Sequence, residues 1–176
     1  MTATATLSFA ETITPTLKIV QGLYAGLLEG ITPETFARMP EGVVCNHPAF
    51  ILGHLSLYPP MILARLGAEQ VAPISDEHAA IFTHETECVD DPDGTVYPPM
   101  QEIIDQFNRV MTQTIEAVGQ LDPAVLQESP ADFPFFNDFP TKASVAAFIL
   151  TAHPMMHSGQ LSTWRRCMGL GAASLG

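Results

Sequence analysis

From Thr151 to Gly169 the chain reads TAHPMMHSGQLSTWRRCMG, two histidines in a helical pattern with a proline between them. His153 and His157 stand four apart, one helical turn, among Ile149, Met156, Gln160, Leu161 and Trp164. That spacing predicts a helix with both imidazoles turned towards a core. Pro154 follows the first histidine directly. Proline inside a helix deprives one carbonyl of its donor, here that of Leu150, and crowds the preceding turn, at about 3 kcal/mol. A tolerated kink is the simpler account; the other is that the bend re-aims His153 and opens the backbone beside it. Thr141 is the expected cap of this helix and Gly169 its stop.

Outward from there, three more stretches show helical periodicity and none alternates as a strand would. Ile13, Leu17, Val20, Tyr24, Leu27 and Ile31 form one stripe, followed by TPET from Thr32 as a turn or short capped helix. A second helix opens after CNHP, with Asn46 or His47 as cap and Pro48 in the first turn. Its stripe is Phe50, His54, Leu57 and Met61, and Pro59-Pro60 predicts a kink or a fresh start near Tyr58. A third opens around YPPMQEI and carries Ile103, Phe107, Val110, Met111, Ile115 and Val118. Four amphipathic helices predict an all-α four-helix bundle, a single domain over residues 1–176. A long connection, Gly67 to Pro98, joins the second and third helices; VAPISDEHAAIF within it suits a helical turn.

Seven basic residues against nineteen acidic ones give a formal net charge of −12, which disfavours nucleic acid and anionic membrane as partners. The start has no basic leader and no run of eighteen apolar residues occurs, so neither secretion nor membrane insertion is expected. Three cysteines without a C-x-x-C speak against a disulfide framework or a cysteine zinc site and suit a reducing cytoplasm. Cys45 and Cys167 read as small buried hydrophobes. Glu69, Asp76, Glu77, Glu85, Glu87, Asp90, Asp91 and Asp93 crowd the long connection and read as a solvated loop, or as a lid over a site.

His54 sits among Phe50, Ile51, Leu57 and Tyr58, so three inward histidines, His54, His153 and His157, come from two helices. A buried imidazole needs a partner for each nitrogen. A metal would satisfy all three at once; hydrogen bonds to backbone carbonyls or to Gln160 are the alternative. Residues 153–157 read H-P-M-M-H and lack the glutamate of H-E-x-x-H, so no general base or other catalytic residue is assigned. His47 reads as a cap or loop residue, and His78 and His84 as surface histidines. Gln160 and Trp164 read as packing and supporting groups, and Arg165 and Arg166 as complements to their helix dipole.

GHLSLYPPMILARLG (53–67) and HPMMHSGQLSTWRRCMG (153–169) together resemble the DinB-like metal-binding four-helix bundles, the second segment being the more specific. The resemblance implies His54, His153 and His157 as ligands of a divalent metal, commonly zinc, nickel or iron. It further implies a metal-dependent thiol S-transferase or hydrolase acting on a small molecule through a metal-bound thiolate or water, with a low-molecular-weight thiol as a cosubstrate, and frequent homodimers. A mean hydropathy of +0.19 leaves apolar residues for such a dimer surface. The alternative is a non-catalytic dimeric metal- or small-ligand-binding module.

Overall fold

Ser8 opens the first helix, α1 (Phe9–Leu28), with a reciprocal cap: its hydroxyl accepts the Glu11 N–H, and the Glu11 carboxylate accepts the Ser8 N–H at 2.8 Å. The expected stripe from Ile13 to Ile31 is buried throughout. The computed structural model describes residues 7–68, 71, 74–131, 133 and 138–173, among which there is no strand. A short α2 (Pro33–Phe36) precedes α3 (Pro48–Arg65). His47 caps α3: Nδ1 accepts the Phe50 N–H at 3.2 Å and Nε2–H donates to the Val89 carbonyl at 2.9 Å. The remaining elements are α4 (Asp76–Phe82), α5 (Met100–Val118), α6 (Pro123–Leu126), α7 (Lys142–Ala147), a π-helical turn (Phe148–Ala152) and α8 (His153–Cys167).

The long helices pack as a four-cornered bundle. α1 lies against α5 and α8, and α3 against α5, α8 and the π turn. With α4 laid on its flank as well, α3 is buried almost all round. It therefore runs through Pro59 and Pro60 without a fresh start, because both prolines are buried and packing holds the helix where two N–H donors are missing. The same crowding overrides a single stripe: Met61, expected inward, is exposed.

Pro154 is accommodated by a different device. α7, capped by Thr141, runs straight into the π turn, where the His153 N–H donates to the carbonyl of Phe148, five residues back. The ladder has thus left α register before it meets the proline ring, and the Thr151 hydroxyl donates to the Ala147 carbonyl beside it. One extra residue in a turn rotates everything that follows by roughly 100° relative to an unbroken helix. Pro154 therefore marks a wide turn rather than a plain kink. Tyr24 pins it, its buried hydroxyl donating to the Pro154 carbonyl at 2.8 Å.

The long connection holds a two-turn helix, α4, capped by Ser75, whose hydroxyl accepts the His78 N–H. The acidic residues there are exposed with one exception, and Glu69 lies outside the described residues. Asp91 is buried, its carboxylate accepting the N–H groups of Thr95, Val96 and Tyr97 at 2.9–3.1 Å, and these bonds hold its pKa down against the opposing effect of burial. No helix among the described residues is long and apolar enough to cross a membrane.

Candidate metal centre

α3 brings His54 to the bundle interior and α8 brings His153 and His157. All three are buried, with one ring nitrogen of each lying within 4.8 Å of the others. The ring centroids are 4.7 Å apart for His153 and His157, 4.9 Å for His54 and His157, and 5.3 Å for His54 and His153. Among the described residues no aspartate or glutamate joins this group.

The outer nitrogens decide what the inner ones can be. His54 Nδ1 lies 2.9 Å from the Phe82 carbonyl, an acceptor only, so Nδ1 carries the proton and Nε2 is bare. His157 Nδ1 donates to Gln160 Oε1 at 2.9 Å, and the same oxygen accepts from Asn46 Nδ2 at 3.2 Å, so His157 Nε2 is bare too. That nitrogen faces His153 Nε2 at 3.0 Å, while His153 Nδ1 is buried without a partner among the described residues. Either tautomer of His153 leaves a defect. A proton on Nε2 abandons a bare Nδ1 in the core; a proton on Nδ1 is orphaned and sets two lone pairs against each other. A cation among the inner nitrogens removes the lone-pair clash and uses the bare His54 nitrogen as well, so the residues fit a divalent transition metal.

Electrostatics act in the same sense. Burial, aided by the neighbouring His157, pushes the pKa of His54 down to about 4 despite the Phe82 carbonyl. Burial and the two other histidines push His153 down to about 3. Burial also lowers His157, opposed by Gln160. All three are neutral at pH 7, the form that binds metal.

Tyr58 closes over the cluster, its ring perpendicular to His153 at 5.2 Å and 4.9 Å from His54. Gly53, next to His54, is the point where α4 docks: any Cβ there would run into the Phe82 ring, whose residue supplies the carbonyl that aims His54. Tyr58, Phe82, Gly53 and Asn46 were not read as site residues. Only the glycine inside an otherwise bulky helix carried a signal, that of a close approach.

Several expectations need correction. His78 is buried rather than on the surface, with Nε2 3.1 Å from the Gly53 carbonyl and 3.0 Å from Gln106 Nε2; being on α4, it goes into the core with that helix. His84 is exposed, as expected. Cys167 is exposed and Cys45 only half-buried, both lining a cleft beside α8. Met156 and Gln160 are exposed, because the buried stripe of α8 runs through His153, His157, Leu161 and Trp164. Arg165 is buried and serves another helix, donating to the carbonyls of Leu27 and Glu29 at the end of α1 at 2.8 and 2.6 Å.

A helical bundle with an inward three-histidine cluster drawn from two of its long helices has a group of side chains that could hold a metal ion. The family model of the DinB superfamily matches residues 16–161, and the chain belongs to that superfamily. No curated protein and no solved structure gives a match to the chain.

Proposed function

We propose that His54, His153 and His157 hold a divalent zinc, nickel or iron ion, and that the protein uses it as a thiol S-transferase or hydrolase on a small molecule. The observation that carries this reading is the tautomer conflict: three inward imidazoles with bare nitrogens at His54 and His157 and an orphaned nitrogen at His153. A divalent cation on neutral imidazoles supplies Lewis acidity that makes a thiol or a water nucleophilic near neutral pH. The chain's own residues aim and enclose: the Phe82 carbonyl orients His54, Gln160 and Asn46 orient His157, and Tyr58 covers the cluster.

The test is zinc titration of the metal-stripped protein. About one ion per chain is expected, with a stabilisation of about 2.7 kcal/mol at a hundredfold excess over Kd, roughly 5–10 °C in Tm. His157→Ala is expected to lose both effects and His84→Ala to keep both. Elemental analysis finding no zinc, nickel, iron or manganese after supplementation overturns the reading. Turnover is checked with the loaded protein, small thiols and a chloro-dinitro-arene. One observation favours the non-catalytic dimeric module instead: among the described residues no carboxylate stands within 4.8 Å of all three histidine nitrogens, where it would share the ion or act beside it. Metal retained without turnover would support that module, and a solution mass near 19.0 kDa would remove its dimer.

A further inference from the structure

A cleft of about 600 Å³ lies between α8 and the segment leading into α3. Met156 and Trp164 give it apolar walls, the thiols of Cys45 and Cys167 border it, and among the described residues no charged side chain lines it. Its polar side chains are two amides, Asn46 and Gln160, and the hydroxyl of Thr163, whose proton is already given to the Gly159 carbonyl at 3.0 Å. Gln160 Oε1 is already used twice, by Asn46 Nδ2 and by His157 Nδ1. The Gln160 NH2 and the Asn46 carbonyl oxygen have no hydrogen-bond partner among the described residues. A donor and an acceptor on linked amides, set beside apolar walls, are the complement of another amide. An anion fits poorly, since one of the two groups repels it and a chain of net charge −12 offers no cation in the lining.

We propose that this cleft binds an uncharged organic molecule bearing an amide or an equivalent paired donor and acceptor. The occupant touches Gln160 on the side away from the histidine cluster, because His157 turns Nδ1 to Gln160 and Nε2 to His153. The consequence for metal rests on the metal reading above. An occupant that engages Gln160 or Asn46 changes the hydrogen bond that aims His157, so ligand and metal change each other's affinity by the same factor.

The test uses the full, metal-free chain and two probes of one shape, 2-naphthamide and 2-naphthoate, by equilibrium dialysis. The amide is expected to bind at least tenfold more tightly and to slow labelling of Cys167 by N-ethylmaleimide. Gly159 lines the cleft, and a Cβ there meets nothing within 4 Å. Gly159→Leu is therefore expected to fill the cleft, cut amide binding at least tenfold, and leave circular dichroism and zinc stoichiometry unchanged. Equal binding of both probes, binding of neither, or binding untouched in Gly159→Leu overturns the proposal. A protein that takes up zinc but no amide loses the cleft alone; one that binds the amide and no zinc loses the metal reading and keeps the cleft.

Discussion

His54 on α3 is aimed by a backbone carbonyl, that of Phe82, whereas His157 on α8 is aimed by a chain of two side chains, Gln160 and Asn46. α3 is buried almost all round, with Met61 exposed, and runs straight through two prolines; α8 enters through a π turn and keeps an exposed flank at Met155, Met156 and Gln160. The two supports therefore fail differently. No side-chain substitution deletes a carbonyl, so His54 is disturbed only by moving α4. The support of His157 can be removed atom by atom.

The broadest challenge to both supports is acid. The unfolded chain takes up histidine protons near pH 6.5, while the folded protein resists until about 4 at His54 and about 3 at His153. Between those limits the unfolded state binds more protons, so stability of the metal-free protein is highest above pH 6.5 and falls as pH drops. His54 alone accounts for on the order of 3 kcal/mol over that window. Urea unfolding at pH 7.5, 5.5 and 4.5 should show the loss, and a flat profile would mean that the imidazoles are solvated. Bound zinc should add to the slope, since protons compete with it.

Gly53→Ala should strike the α3 support. Its methyl meets the Phe82 ring, and overpacking of this kind costs about 1–3 kcal/mol. Because the displaced residue carries the carbonyl on His54, zinc affinity should fall together with Tm; an unchanged Tm would show that α4 yields freely.

Gln160→Leu should strike only the α8 support. Loss of a hydrogen bond behind a metal-binding histidine weakens binding by roughly 10–100-fold, with a smaller change in the stability of the metal-free protein, because Gln160 is exposed and water can take its place at His157 Nδ1. Calorimetric zinc titration separates this from Gly53→Ala, in which both quantities should move.

The smallest effect should come from the glycine of the other helix. Gly159→Ala meets nothing within 4 Å and exchanges the poorest non-proline helix former for the best, so it should stabilise by about 1 kcal/mol. That is opposite in sign to Gly53→Ala, and thermal melts of the two variants test the contrast directly.

Features that depend on periodicity are legible in the amino-acid order alone. The α1 stripe from Ile13 to Ile31, the helical spacing of His153 and His157, and the inward place of His54 all follow from 3.6 residues per turn and the burial of apolar side chains. The DinB superfamily was legible in the two histidine segments for the same reason: local pattern survives without knowledge of neighbours. What surrounds the histidines was not legible, because it comes from distant parts of the chain. Phe82 reaches His54 across 28 positions, and Asn46 reaches Gln160 across 114. His78 is buried only because α4 docks on α3, and Arg165 turns to α1 because that helix ends beside it. Pro154 announced a disturbance but not its form: whether a helix kinks or takes in an extra residue depends on which register lets the surrounding bundle close. Tyr24, 130 positions away, completes that choice with a hydrogen bond to the Pro154 carbonyl. Helical register is set by neighbours in the chain; the partners of a buried polar atom are set by whatever the tertiary fold brings within 3 Å of it.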